Sequence, residues 1–143
     1  MRFGFTLLEL LVVIGMISIL VAVTLTAINP TKQLAASRDA KRRADVQTIL
    51  NAIYQYTLDH QGVVPAAIPS LVPGEICVTG AATCVGGVDL DLLSGAYLVA
   101  IPLDPKASST GTGTDYEVVR NADGRLSVIA PRAEGDDEIW AKR

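Results

Sequence analysis

The sequence predicts an α+β protein in which a long N-terminal α-helix packs on a small antiparallel β-sheet. Three observations carry this prediction. An apolar stretch covers residues 5–28, an amphipathic helical pattern follows over residues 29–61, and short β patterns alternate with Gly- and Pro-rich turns in residues 62–143. The 143 residues are enough for about one compact domain.

The two parts of the chain differ in charge. Residues 1–60 carry six Lys and Arg against four Asp and Glu, a net of +2, and residues 61–143 carry six against eleven, a net of −5. The mean hydropathy of +0.37 is high for a soluble protein, and the apolar stretch accounts for most of the excess. A solvated surface explains the acidic excess, and no basic field indicates nucleic-acid binding.

Residues 5–28 are predicted to form a membrane-spanning helix. At helical rise this stretch is about 36 Å long, and a hydrocarbon core is about 30 Å thick. The apolar core of a secretory signal peptide is shorter, about 7–15 residues, and ends at a site of small residues. Cleavage after Ala22 or Ala27 would place a leucine three residues before the cut, so a secretory signal peptide is disfavoured.

Glu9 is the only charged residue in this apolar stretch. A charged side chain in mid-membrane costs on the order of 2.5–3.5 kcal/mol, and less near the interface. In one interpretation Glu9 reaches the lipid headgroups or is protonated. In the other interpretation the carboxylate of Glu9 pairs with a cation. Because the stretch contains no Lys or Arg, this cation would come from outside it, and the α-amino group of a neighbouring chain would be suitable.

The sequence GFTLLEL, which begins at Gly4 after a short basic leader, resembles the prepilin signature of type IV pilins and type II secretion pseudopilins. The resemblance covers about residues 2–28. It implies that residues 1–4 are a leader, that a membrane peptidase cleaves between Gly4 and Phe5, and that Phe5 is then N-methylated. It also implies that Glu9 pairs with the N-terminal amine of the adjacent subunit during assembly.

The resemblance further implies a function and a set of partners. The mature chain would be a structural subunit, not an enzyme, of a helical filament, either an extracellular pilus (a fimbrium) or a periplasmic pseudopilus. Its partners would be further copies of the chain, the prepilin peptidase and methyltransferase, the assembly platform with its ATPase, and membrane lipid before assembly. The unassembled subunit would cross the inner or cytoplasmic membrane once, with its head outside the cytoplasm.

The alternative function is a membrane-anchored extracytoplasmic binding domain that does not polymerise. An anchored enzyme is disfavoured, because the sequence contains no GxSxG motif, no P-loop and no paired catalytic motif. The single histidine, His60, stands at a predicted helix end and is expected to be a surface residue.

Residues 29–61 are predicted to form the amphipathic half of the long helix. Apolar side chains recur at spacings of three and four over residues 46–58 and form one face, and Gly62 marks the end. Asn29 and Pro30 can either cap a new helix or kink a continuous one. The apolar positions on both sides favour the kink.

A basic cluster follows the predicted span. It consists of Lys32, Arg38, Lys41, Arg42 and Arg43. By the positive-inside rule alone the cluster would lie in the cytoplasm, but the cysteine pair and the pilin resemblance favour the opposite orientation. The cluster is then expected to be a solvated helix face, or to meet lipid headgroups or acidic surfaces of neighbouring heads. Asp39 and Arg43 stand in the favourable i,i+4 order for an ion pair on this face.

Residues 62–143 are predicted to form a globular head. Residues 63–75, rich in proline, are expected to be a loop. The three predicted strands are residues 97–101, 116–120 and 126–130, of which the last two form a hairpin around Asp123-Gly124. The apolar face of this sheet would be covered by the 46–58 face of the helix. The pilin resemblance implies the same arrangement, a lollipop with half of the helix embedded in the head.

Cys77 and Cys84, in CVTGAATC, are the only cysteines. In a membrane-tethered domain such a pair favours a disulfide bond in an oxidising compartment. On the chain-entropy estimate a disulfide across so small a loop contributes about 2.5 kcal/mol. Two free thiols are the alternative. A metal half-site is disfavoured, because the spacing is wider than C-x₂₋₄-C.

The acidic sequence EGDDEIW partly resembles the Asp-rich loop of major pseudopilins, which binds calcium. Oxygen-rich loops suit a hard cation, so Asp136 and Asp137 are weak calcium candidates. The pattern before this loop differs from the family's, because residues 106–115 replace the usual glycines and asparagines. A solvated acidic tail is the alternative, and no other metal or cofactor is expected.

Overall fold

The computed structural model describes residues 4–108, 111–135 and 137–143. Residues 1–3 of the predicted leader and the calcium candidate Asp136 therefore lie outside the described residues. The chain divides into two compact units, Met1–Ala35 and Ala36–Arg143, and each is described by itself.

The first unit contains the helix α1, Leu7–Ile28. None of its residues is buried within the chain, and it is long and apolar enough to cross a membrane, by length and composition. Its hydroxyl groups bond within the helix, since Ser18 Oγ donates to the carbonyl of Ile14 at 2.7 Å and Thr24 Oγ1 to that of Val21 at 2.9 Å. These bonds satisfy the hydroxyl groups of the helix, which could form no hydrogen bonds with the hydrocarbon of a lipid bilayer.

Asn29 separates α1 from the second helix, α2, which runs over Pro30–Asp59. The backbone of Asn29 is left-handed (φ 46°), and its Oδ1 accepts hydrogen bonds from Thr31 Oγ1 at 2.8 Å and from the N–H of Lys32 at 3.4 Å. Pro30 occupies the first helical position, where a missing N–H costs nothing. The structure thus has a capped new helix, and the favoured kink in one continuous helix is wrong.

The second unit is built around a four-stranded antiparallel sheet of order β1-β2-β3-β4. Its strands are β1 (Gly74–Cys77), β2 (Gly113–Arg120), β3 (Leu126–Ala130) and β4 (Ile139–Lys142). The predicted hairpin is confirmed as β2 and β3, with Val118 opposite Val128. Its turn contains Gly124 at φ 80°, and Asp123 Oδ1 accepts the N–H of Arg125 at 3.0 Å.

The third predicted strand is absent, and two observed strands were not predicted. Residues 97–101 form no strand: Gly95 N–H donates to the carbonyl of Leu98 at 2.6 Å in a tight turn, so this apolar run packs as a loop. Two strands of the sheet lie in segments predicted to be loop or tail, namely β1 and β4. Each has only four residues, too few for a period-two pattern to stand out.

The hydrophobic core joins α2 to the inner face of this sheet. Val46, Ile49 and Ile53 are buried as the spacing predicts, and Leu50 is buried with them. They share one cluster with residues of all four strands, including Ile76, Tyr116, Val128 and Ile139. The α+β arrangement of a helix on an antiparallel sheet is therefore confirmed. Tyr54 and Leu58, which belong to the predicted 46–58 face, are exposed because they lie off its centre line.

Candidate functional site

The first turn of α1 contains a capping box formed by Thr6 and Glu9. The carboxylate oxygen Oε2 of Glu9 accepts the N–H of Thr6 at 3.0 Å and the hydroxyl of Thr6 at 2.8 Å, and Thr6 Oγ1 accepts the N–H of Glu9 at 3.2 Å. This reciprocal arrangement satisfies donors that the start of a helix leaves unpaired. The second carboxylate oxygen, Oε1, has no partner among the described residues.

The capping box adds a function for Glu9 that neither sequence interpretation included. The T-x-x-E spacing before an apolar run is its sequence signal, and it stands in the printed sequence. The box holds the carboxylate at the end of the helix, and no described residue engages Oε1. A cation approaching the start of α1 would therefore meet an oriented carboxylate oxygen.

Gly4 and Phe5 precede the capping residue and lie outside the helix. Both are exposed, and Phe5 is 87 % exposed. The bond between them therefore lies in exposed backbone that is not helical.

The most highly charged part of the second unit is centred on Arg42 of α2, whose side chain is completely buried. Its Nε and Nη2 donate to the two carboxylate oxygens of Asp104, at 2.6 and 3.0 Å. Its Nη1 donates to Asp39 Oδ1 at 2.8 Å and to Glu134 Oε1 at 2.9 Å. Charge-assisted hydrogen bonds of this kind offset the free-energy cost of removing a guanidinium from water. The bond to Asp104 raises the pKa of Arg42 above its ordinary value.

Glu134 is bound by two further cations. Arg38 Nε and Nη2 donate to its two oxygens at 2.6 and 2.7 Å, and Lys106 Nζ donates to Oε2 at 2.7 Å. The bonds from Arg38, Lys106 and Arg42 hold the pKa of Glu134 well below its usual range.

Asp39 binds both Arg42 and the backbone of the loop before β4. Its oxygens accept the N–H of Glu134 at 3.1 and 3.2 Å and the N–H of Gly135 at 2.8 Å. Burial opposes the ionisation of Asp39, but the bonds from Arg42 and from these two N–H groups outweigh it and lower its pKa. Burial likewise opposes ionisation of Asp104, and the bonds from Arg42 lower its pKa.

We name these residues the Arg42 cluster: Arg38, Asp39, Arg42, Asp104, Lys106 and Glu134. The cluster joins α2 to the loop after residue 101 and to the loop before β4. The predicted pair of Asp39 with Arg43 is wrong, because Asp39 is 4 % exposed and pairs with Arg42, one helical position closer. The expected solvated basic face is likewise wrong for Arg42, whereas Lys41 and Arg43 are exposed.

Cys77 and Cys84 are joined in a disulfide bond, as the sequence favours, with their Cα atoms 5.9 Å apart. Gly87 packs against both sulfur atoms, and a side chain at this position would collide with them. The bond fixes the loop that leaves β1.

Of the two calcium candidates, Asp136 lies outside the described residues and only Asp137 can be placed. Asp137 is exposed, and within the described ranges no group of three or more His, Cys, Asp or Glu residues is placed to hold a metal ion. His60 stacks on Tyr56, and its Nδ1 lies 2.8 Å from the carbonyl oxygen of that residue.

Comparisons of the chain with protein-family models, with curated proteins and with solved structures find no match.

Proposed function

We propose that this protein is a structural subunit of a pilin-like helical filament, made in a membrane and assembled through α1. The observation that carries the proposal is the make-up of this helix. It is apolar on every side, no residue in it is buried within the chain, and its one carboxylate stands in the first turn after Gly4 and Phe5.

The exposed surface of α1 requires a covering. Apolar surface of this extent is unstable in water, so lipid or other polypeptide must contact it. A bilayer supplies the covering before assembly. In a filament, the α1 helices of neighbouring subunits would supply it, and the same 22 residues would serve both states.

Glu9 is the specific contact in this proposal. Packing between helices removes its carboxylate from water, and an unpaired buried charge costs several kcal/mol. The capping box engages Oε2, and Oε1 has no partner in the part of the chain that the structure describes. We assign to Oε1 the α-ammonium group that cleavage after Gly4 would create on a neighbouring subunit.

The disulfide supports an orientation with the head outside the cytoplasm. Disulfide bonds persist in oxidising compartments and are rare in the cytosol. With Cys77 joined to Cys84, the second unit belongs on the oxidising side of the membrane that α1 would cross.

Processing and assembly test the proposal together. We expect the mature chain from membrane or sheared surface fractions to begin at N-methylated Phe5, by intact mass and N-terminal sequencing, and to be present in filaments by electron microscopy. A native chain that begins at Met1 and stays monomeric would contradict the proposal and support the anchored binding domain.

A further inference from the structure

Residues 131–138 connect β3 to β4 and contain the sequence that partly resembles a calcium-binding loop. Calcium takes six to eight oxygen ligands, mostly carboxylates and carbonyls. The oxygens that this loop and its neighbours present therefore decide whether the ion fits.

The first carboxylate of the loop, Glu134, is already paired with cations of the protein. Both oxygens of Glu134 are within 2.9 Å of basic nitrogen atoms, which come from Arg38, Arg42 and Lys106. Three positive charges around one carboxylate repel a divalent cation.

Asp39, the other carboxylate that contacts this loop, has no free oxygen either. Oδ1 accepts bonds from Arg42 and from the N–H of Glu134, and Oδ2 accepts the N–H of Glu134 and of Gly135. In the described part of the loop Asp137 and Glu138 remain, and both are exposed. These residues do not fit a calcium ion.

We propose that the Arg42 cluster closes this loop in place of a bound divalent cation, so that the head reaches its full stability without metal. A multidentate cation would draw carboxylates from separate segments to one point. The buried guanidinium of Arg42 does this with Asp39 of α2, Asp104 of the preceding loop and Glu134 of the closing loop.

The closed loop determines the position of β4. This strand has four residues, pairs only with β3 and forms one edge of the sheet. So short an edge strand frays readily when the segment that leads into it is released. The consequence does not depend on filament assembly and can be tested on unassembled protein.

Metal binding is tested first, on the full chain purified in detergent micelles, with terbium as the calcium probe. Trp140 is the only tryptophan and lies in β4, three residues after Asp137, so it would sensitise terbium bound in the loop. We expect no saturable emission, and a Tm that differs by less than about 1 °C between chelator and about 5 mM calcium. Saturable emission that calcium displaces, or a Tm that calcium raises, would overturn the proposal.

The second test compares two substitutions of the same kind in the same loop. Glu134→Gln removes the charge that three cations contact, and Glu138→Gln removes a charge that makes no ion pair with the described residues. We expect Glu134→Gln to speed amide hydrogen exchange in β4 by about tenfold or more and to lower the Tm by about 5 °C or more. Glu138→Gln should change neither.

Equal exchange rates in the two variants would refute the closing function, whatever the terbium result. Both substitutions leave Arg42 paired with Asp104, so the core of the head stays intact and the comparison does not depend on a variant that fails to fold.

Discussion

Glu9 in α1 and Arg42 in α2 are both charged side chains in helices, and their surroundings differ. Arg42 is completely buried and makes four hydrogen bonds to three carboxylates of its own chain. Glu9 is exposed, and one of its carboxylate oxygens has no partner among the described residues. The first charge is compensated within the chain, whereas no cation among the described residues pairs with the second.

The apolar side chains of the two helices differ in the same way. Val46, Ile49, Leu50 and Ile53 of α2 enter a core shared with all four strands. The apolar side chains of α1 are exposed along the whole helix. The second unit therefore carries its own stabilising contacts, whereas no residue of α1 is buried within the chain. We therefore expect substitutions of Arg42 to affect folding and substitutions of Glu9 to affect assembly.

The largest effect is expected for Glu9→Val. The variant should insert and be cleaved normally, because its span is wholly apolar, but it should build few or no filaments, since the contact for the neighbour's α-ammonium is lost. Glu9→Gln should be intermediate at best, because an amide does not match a cation. Filaments in sheared surface fractions are counted by electron microscopy.

Ser18→Ala is the matched control, since its hydroxyl bonds only within α1. It should assemble like the wild type. Abundant filaments from Glu9→Val would show that the carboxylate is not an assembly contact.

Arg42→Met should destabilise the head by about 3–5 kcal/mol, because Asp39 and Asp104 are left buried without their cation. Arg43→Met, at the exposed neighbouring position, should change stability by less than about 0.5 kcal/mol. Urea unfolding followed by Trp140 fluorescence measures both. Similar losses for the two variants would contradict the assignment of Arg42 as the centre of the cluster.

Acid should weaken the head through the same cluster. The pKa values of Asp39, Asp104 and Glu134 are lowered in the folded chain, so the unfolded chain binds more protons at low pH. Stability from these groups is present above their ordinary pKa values, about 4, and is lost as the pH falls toward the folded values. The cations that face these carboxylates are Arg38, Arg42, Lys106 and Arg132.

Urea unfolding at a series of pH values measures this loss. The slope of stability against pH below about 4 should be smaller in Glu134→Gln than in the wild type. An unchanged slope would mean that Glu134 does not contribute to the acid sensitivity.

The smallest effect is expected for Thr6→Ala. Loss of the capping side chain should destabilise the start of α1 by about 1 kcal/mol and reduce filament yield a few-fold, because Glu9 is less well oriented. Thr6→Ser keeps the hydroxyl and should retain normal yield. If Thr6→Ala abolishes filaments as Glu9→Val is expected to, Thr6 has a function beyond orientation.

The sequence by itself determined the features that arise from neighbouring residues. The length and apolar make-up of α1, the spacing of Val46, Ile49 and Ile53, the hairpin turn at Asp123-Gly124 and the close cysteine pair are all local patterns. The Thr6–Glu9 capping box is a local feature of the same kind, because the T-x-x-E spacing that predicts it lies within four residues.

Only the tertiary structure decided which charges are compensated and which segments are strands. Arg42 meets Asp104, 62 positions away, and Glu134, 92 positions away, and helical spacing instead favoured Asp39 with Arg43. The strands β1 and β4 are too short for a pattern of their own and form because a neighbouring strand supplies their hydrogen bonds. The partners of Arg42 and of β1 come from distant parts of the chain, and β4 pairs with β3 across the loop 131–138, so burial and pairing appear only when the chain is folded.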